Sequence, residues 1–168
     1  HAMNREERPF RGILYAGVMY TRNGVKLLEY NARFGDPETQ PLMTRLKSDI
    51  VPLFLSVCEG KLDETHLEWD ERASVCVVMA SGGYPNAYAT GHEISGIADA
   101  EELEDVVVFH AGTAAQEEKI VTAGGRVLDV TARGASVEEA RARAYEAVSR
   151  ISFTDAHYRK DIALSAIE

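Results

Sequence analysis

Three polar side chains stand at every second position of one short segment: Glu29, Asn31 and Arg33. In an extended strand, such residues share a face and lie about 6–7 Å apart. A carboxylate and an amide oxygen are hard ligands of the kind that Mg²⁺ takes beside phosphate oxygens and water. A guanidinium beyond them would stabilise charge on a transferring phosphoryl or acyl phosphate group. The pattern is short, so the spacing alone leaves open the alternative of an ordinary solvent-exposed hairpin face.

A β-hairpin is predicted to position these residues. Residues 11–21 alternate without a clearly polar face, which predicts a strand buried on both sides. Arg22-Asn23-Gly24 favours a tight turn, because Asn-Gly accepts positive φ angles. Residues 25–31 form the returning strand, which would present Glu29 and Asn31 on one face.

Two helices are predicted after the hairpin. The Asp36-Pro37 pair ends the strand and starts a helix that runs towards Lys47, because proline is tolerated at the first helical position. A second helix covers residues 49–59, where apolar residues recur at helical spacing. Ser48 is the predicted N-cap, and Gly60 ends the helix.

The polar, acidic segment 61–71 marks a predicted domain boundary, which divides the chain into residues 4–62 and 63–168. Residues 1–3 resemble a vector-derived extension and are excluded from the fold argument. The second part is predicted to be α+β, with a long helix that Ser136 caps. Its predicted strands and helix cover residues 74–80, 106–113, 119–122, 126–131 and 137–151.

Composition narrows the class of protein. The chain has 168 residues, 45% of them hydrophobic, and a net charge of −9. An acidic chain disfavours a broad surface for nucleic acid or anionic lipid, and no apolar run has the length of a membrane span. Cys58 and Cys76 lie in apolar runs, which predicts buried free thiols in a cytoplasmic protein.

The segment Arg33-Phe34-Gly35-Asp36-Pro37-Glu38-Thr39-Gln40 resembles the signature of glycinamide ribonucleotide synthetase (phosphoribosylamine–glycine ligase). The Glu-x-Asn-x-Arg pattern before it looks like the metal-binding end of ATP-grasp ligases. Further segments follow in that family's order: the Tyr-Ala-Gly strand ending at Gly17, Lys47-Ser48-Asp49, Ser81-Gly82-Gly83-Tyr84-Pro85, residues 109–113, residues 122–128 and Tyr158-Arg159-Lys160-Asp161-Ile162. One position departs from the pattern, because Ala163 stands where the resemblance implies glycine.

The resemblance implies a fold and an activity. The chain would be the terminal portion of an ATP-grasp domain followed by a small α/β barrel-like C-terminal module, with the N-terminal part of the same enzyme missing. That enzyme would use ATP to join glycine to 5-phosphoribosylamine through glycyl phosphate in purine biosynthesis. The isolated chain would be inactive.

The resemblance also implies site residues. Glu29 and Asn31 would hold Mg²⁺ (or Mn²⁺) on the phosphates of ATP. Arg33 would lie near the transferring group, and Asp36 would orient the loop or the amine substrate.

Two other readings of the chain stay open at this point. A stand-alone binding module could reuse the same fold without catalysis. A different ATP-grasp ligase, such as a biotin-carboxylase relative, would share the Glu-x-Asn-x-Arg pattern but would not account for residues 34–40.

One arginine and one basic segment in the second part each have two interpretations. Arg126 could reach a ribose phosphate or be an ordinary surface arginine. Residues 158–160 could form a phosphate-binding patch or a solvated tail.

Overall fold

The computed structural model describes residues 2–167, which divide into two units. The first unit comprises the chain up to Thr39 together with Leu46–Asp70, and the second comprises Gln40–Arg45 and the chain from Glu71 onward. The domain boundary after residue 62 stays a prediction. That residues 1–3 are a vector-derived extension also stays a prediction, and His1 lies outside the described residues.

The elements in chain order begin with a short helix, a hairpin and two further helices. They are α1 (Ala2–Arg5), β1 (Tyr15–Thr21), β2 (Gly24–Asn31), α2 (Thr39–Arg45) and α3 (Ile50–Glu59). The later elements are β3 (Ala73–Ala80), α4 (Ile97–Glu101), β4 (Val106–His110), β5 (Thr113–Gln116), β6 (Lys119–Thr122), β7 (Arg126–Gly134) and α5 (Val137–Arg150). No helix within residues 2–167 is both long and apolar enough to cross a bilayer.

The predicted hairpin is confirmed. β1 and β2 pair antiparallel, and Thr21 faces Gly24 across the turn. Gly24 adopts φ +90°, the positive angle that the Asn-Gly pair accommodates. The register shifts once, because Gly17 pairs with Glu29 while Val18 pairs with Leu27, which is the pattern of a β-bulge.

The prediction that the first strand is buried on both sides is wrong. The strand begins at Tyr15, and within the described residues its sheet contains only β1 and β2. No residue of either strand is fully buried. Burial on both faces needs packed layers above and below a sheet, and the described residues of this unit do not provide them.

The helices of the first part form close to their predicted positions. α2 begins at Thr39 rather than near Pro37. The N-cap of α3 is Asp49, whose carboxylate accepts a hydrogen bond from the Val51 amide at 2.9 Å. The prediction of Ser48 as cap is wrong, because its hydroxyl accepts from the Glu68 amide instead. Gly60 ends α3 with φ +75°, as predicted.

The two cysteines differ in environment. Both are free thiols. Cys76 on β3 is buried, as its apolar neighbours predicted, whereas Cys58 on α3 is exposed. The prediction of burial is therefore wrong for Cys58, because no residue of α3 is fully buried.

The second unit is an α+β module built on an antiparallel sheet in the order β3-β7-β4. The central strand β7 is almost wholly buried, and α5 packs across β7 and β3. Gly134 at the end of β7 permits the close approach of α5, because a Cβ added to it would lie 2.5 Å from the Ala140 amide nitrogen. The core comprises Val75, Val77, Met79, Val127, Leu128, Val130, Ala140, Ala144, Ala147 and Val148, among others.

The cap of α5 agrees with the prediction, whereas the strand that begins at Val106 is shorter than predicted. Ser136 caps α5 as expected, accepting from the Glu139 amide at 3.2 Å. The predicted strand 106–113 ends at His110, because Gly112 turns to donate its amide to the Arg126 carbonyl. β5 follows this turn and pairs with β6.

Candidate functional site

Glu29 and Asn31 lie together on the last residues of β2. The Asn31 side-chain nitrogen Nδ2 donates to Glu29 Oε1 at 3.0 Å, so the two side chains share a face, as the alternation predicted. This bond uses the amide nitrogen, which leaves the Asn31 amide oxygen and the second carboxylate oxygen as acceptors. Both side chains contact solvent, and hard oxygen ligands of this kind suit Mg²⁺.

Glu29 forms one wall of a cavity of about 430 Å³ in the first unit. Gly17 permits this placement, since a Cβ there would come within 3.1 Å of the Glu29 side chain. The lining residues are Tyr15, Gly17, Val18, Leu28, Glu29 and Glu38. Two carboxylates on one cavity favour a cation.

Tyr15 and Glu38 also line this cavity, although the Glu-x-Asn-x-Arg pattern does not include them. The Tyr15 hydroxyl donates to Glu38 Oε1 at 3.1 Å. Burial raises the pKa of the Tyr15 phenol, and the hydrogen bond to Glu38 and the charges of Glu38 and Glu29 raise it further. The sequence could have indicated Glu38, because this residue lies in the Arg33–Gln40 segment.

Glu38 reaches the cavity because Gly35 precedes it. A Cβ on Gly35 would lie 2.1 Å from Glu38 Oε2, so a larger residue would displace this carboxylate. The Thr39 amide donates to the Gly35 carbonyl at 3.1 Å, and the Thr39 hydroxyl donates to the same oxygen. Asp36 is half-buried in the turn between them. The signature segment thus presents Glu38, rather than Asp36, beside Glu29.

Arg33 is not brought to the same face. β2 ends at Asn31, so strand alternation does not continue to Arg33, whose Nη1 donates to the Phe34 carbonyl at 2.7 Å. Arg33 lines a separate, mostly apolar cavity with Phe34 and Phe54.

The last residue of the signature segment supports the core of the second unit. Gln40 donates from Nε2 to Asp129 Oδ2 at 2.7 Å, and Asp129 is 1% exposed. A buried carboxylate requires such donors. We therefore assign Gln40 a structural role.

A metal ion at the Glu29 face would take few ligands from the protein. No cluster of three or more His, Cys, Asp or Glu side chains with metal-binding geometry occurs within the described part of the chain. Mg²⁺ held on nucleotide phosphates commonly has one or two protein ligands, with phosphates and water supplying the rest. The Glu29–Asn31 pair fits that requirement.

The hairpin site and the module that follows it match known families in the same order along the chain. Residues 1–39 match the family model of the phosphoribosylglycinamide synthetase ATP-grasp (A) domain, which places the chain in the ATP-grasp class. Residues 74–165 match the model of the phosphoribosylglycinamide synthetase C domain. The chain therefore belongs to the phosphoribosylglycinamide synthetase family.

Individual relatives agree with this assignment. The chain is 54% identical to a phosphoribosylamine–glycine ligase of Rhodopirellula baltica over 99% of its own length and 38% of the relative's. The corresponding ligase of Escherichia coli K12 is also 54% identical, over 99% and 39%. The chain thus spans less than two-fifths of the length of these relatives.

Solved structures resemble the chain to different degrees. The crystal structure of phosphoribosylamine–glycine ligase from Thermotoga maritima aligns with a TM-score of 0.77 at 36% identity, covering 95% of this chain and 39% of that one. Urea carboxylase from Kluyveromyces lactis aligns with a TM-score of 0.56 at 17% identity, over 89% and 13%. The second similarity shows the fold alone.

Proposed function

We propose that this chain works as part of a cytoplasmic phosphoribosylamine–glycine ligase of purine biosynthesis. The observation that carries the proposal is the identity of 54% over 99% of the chain to ligases that are much longer. In the proposed reaction, the glycine carboxylate attacks the γ-phosphorus of ATP, giving glycyl phosphate and ADP. The amine of 5-phosphoribosylamine then attacks the acyl carbon, and phosphate leaves as the carbon–nitrogen bond forms.

In this proposal, Glu29 and Asn31 hold Mg²⁺ or Mn²⁺ on the phosphates of ATP. The ion would neutralise phosphate charge. Support comes from the adjacent oxygens of the pair and from the cavity that Glu29 lines with Glu38. Tyr15, through its bond to Glu38 Oε1, would orient that carboxylate.

The roles of Arg33 and Asp36 are also proposals. Arg33 would stabilise the transferring group, which requires its side chain to leave the Phe34 carbonyl that it contacts here. Asp36 would orient the loop that presents Glu38, or the amine substrate.

The test is ADP formation by the full product of the source gene, measured with ATP, glycine and freshly generated 5-phosphoribosylamine. We expect ADP only when both glycine and the amine are present, and none from the 168-residue chain alone. ADP formation by the isolated chain would contradict the assignment of this chain as one part of the catalytic unit. If the full gene product formed no ADP, that result would contradict the ligase assignment itself.

A further inference from the structure

α3 carries two apolar faces, and only one of them packs within its own unit. Ile50, Leu53 and Val57 recur at helical spacing and are half-buried. A second row of apolar side chains, at positions i, i+3, i+4 and i+7, is exposed to solvent. This outer row of α3 comprises Val51, Phe54, Leu55 and Cys58.

The outer row is too apolar for a helix face that stays in water. Val51 and Leu55 are each 59% exposed, and Phe54 is 38% exposed. The row contains no charged side chain, whereas the solvent side of a surface helix is usually charged and polar. A helix that is apolar on both sides is typical of a buried position. We propose that the outer row docks against the part of the longer ligase that lies outside this chain.

The outer row continues into the mostly apolar cavity beside Arg33, which has a volume of about 440 Å³. Phe54 and Cys58 belong to both the row and the cavity lining. The Phe54 ring also contacts the Phe34 ring of the signature segment, with 6.1 Å between the ring centroids. A partner that covers the outer row would therefore also fill this cavity.

Both ends of α3 are fixed, so the outer row is ordered without its partner. Asp49 caps the first turn through the Val51 amide. At the other end, the Gly60 amide donates to the Val57 carbonyl at 3.2 Å, and Arg11 Nη1 donates to the Cys58 carbonyl at 2.8 Å. A surface that is ordered before binding loses less conformational entropy when it docks.

The composition of α3 favours a protein partner over a lipid surface. Helices that lie in a membrane interface are rich in Lys and Arg on their polar face, and α3 contains neither residue. The net charge of −9 also disfavours contact with anionic lipid. An apolar protein surface requires no such charges and matches the row.

The length of the relatives identifies the partner. The chain matches the Rhodopirellula baltica ligase over 99% of its own length but over only 38% of the ligase. The larger part of that ligase lies outside the match and is covalently linked to the matched part. A linked surface has a high effective concentration, so it would occupy the outer row before a second copy could. This choice of partner rests on the proposed function, in which the chain is one part of a ligase.

Cys58 supplies the readout, because it lies in the outer row. The experiment measures the rate at which N-ethylmaleimide modifies Cys58, by peptide mass spectrometry, in the 168-residue chain at low concentration and in the full gene product. We expect Cys58 to react at least about 10-fold more slowly in the full product, because docking would bury its thiol. Cys76 is buried and should react slowly in both samples. Equal rates for Cys58 in the two samples would overturn the proposal.

The variant Leu55→Glu tests the row itself. In the full product, it should raise the modification rate of Cys58 by about 10-fold or more, because an unpaired carboxylate opposes burial. In the 168-residue chain, it should leave that rate and the urea midpoint unchanged, because Leu55 is exposed there. The matched control is Leu62→Glu, the same change at an exposed leucine outside the row, which should leave Cys58 protected. An equal loss of stability in the 168-residue chain and the full product would show that Leu55 packs within its own unit, and would overturn the proposal.

Further outcomes separate this proposal from other partners and from the ligase assignment. Protection of Cys58 that disappears when the full product is diluted would assign the row to a second copy. Protection that requires vesicles of anionic phospholipid would assign it to a membrane, and either result would overturn the proposal. An exposed Cys58 in a full product that forms ADP would overturn the docking and leave the ligase assignment in place. A protected Cys58 in a full product that forms no ADP would support the docking and contradict the ligase assignment.

Discussion

At the scale of single residues, the ionisation of Tyr15 reports on the cavity beside Glu29. Its pKa is raised by burial, by the hydrogen bond to Glu38 and by nearby carboxylate charge. A raised pKa favours the neutral phenol. Its stabilising contribution is therefore present below the ordinary pKa of about 10 and is lost as pH rises through the higher folded value.

Glu38→Gln should lower the pKa of Tyr15 towards its ordinary value, because it removes the charge that opposes tyrosinate formation. Glu29→Gln should lower it by less, since the charge of Glu29 is the weakest of the contributions. The measurement is an NMR titration of the Tyr15 ring carbon Cζ, with Glu104→Gln as control at an exposed carboxylate. An unchanged Tyr15 titration in Glu38→Gln would show that the two groups do not interact.

Ala163 adopts a backbone conformation that favours glycine. The resemblance implies glycine at this position, and Ala163 adopts φ +59°, in the left-handed region that disfavours a Cβ. Ala163→Gly should therefore increase the free energy of unfolding by about 0.5–1 kcal/mol.

Urea denaturation measures this difference. Ala163 precedes a 3₁₀ turn, Leu164–Ala166. Ala166→Gly is the matched control in that turn, because Ala166 has no positive φ, and it should lower stability instead. Loss of stability in both variants would contradict the strain at residue 163.

The sequence predicted the relative placement of some candidate site residues better than that of others, for a local reason. Glu29 and Asn31 are two residues apart on one strand, so alternation alone places them together. Arg33 lies beyond the end of β2, where alternation no longer applies. Tyr15 and Glu38 meet across 23 positions of chain, which no short-range pattern reveals.

At the scale of elements, one carboxylate joins the strands and the helix of the second unit. Asp105 accepts from Arg72 at 2.6 Å and from Arg133 on β7 at 2.7 Å, and Arg143 on α5 lies 3.7 Å away. The Asp105 side chain is 14% exposed, so these bonds are only partly screened by water.

Asp105→Asn should lower the free energy of unfolding by about 1.5–3 kcal/mol, the range for hydrogen bonds to charged groups. Asparagine isolates the charge, because residue 105 has φ +63° and asparagine tolerates that region as aspartate does. Chemical denaturation measures the effect, and Glu104→Gln next to it should change little. Equal stability of the two variants would mean that the arginines find other partners.

Long elements with clear end signals were predicted closely. Among the short elements, β6 was predicted with its observed bounds, whereas α4 and β5 were not predicted. α5 combines a capping residue with apolar periodicity over 14 residues, and β3 is one continuous apolar run. α4 has five residues and β5 has four, so neither contains enough turns or alternations to be recognised. The burial of β1 could not be read from its own residues, because burial depends on what packs against a strand.

At the scale of the whole molecule, the hairpin exposes much apolar surface. Tyr20 is 86% exposed, and Leu28 and Tyr30 are each 63% exposed. Exposed apolar surface of this kind promotes association. The isolated chain should therefore self-associate as its concentration rises.

Sedimentation velocity should detect this association, and the double variant Tyr20→Glu with Leu28→Glu should reduce it. Arg22→Glu is the matched control, because it changes charge at the same hairpin without removing apolar surface. A wild-type chain that remains monomeric at high concentration would contradict the prediction.

A kinetic comparison of the full gene product and its variants tests whether the Glu29 face serves an ATP-dependent ligase. Glycine-dependent ADP formation is measured for the full gene product and for its Glu29→Gln and Glu104→Gln variants at several Mg²⁺ concentrations. We expect Glu29→Gln to lower kcat/KM by about 100-fold or more and to raise the Mg²⁺ requirement, because a metal clamp contributes several kcal/mol. Glu104→Gln should behave like the unmodified enzyme. Equal activity and equal Mg²⁺ dependence in both variants would contradict a role for Glu29 in metal binding.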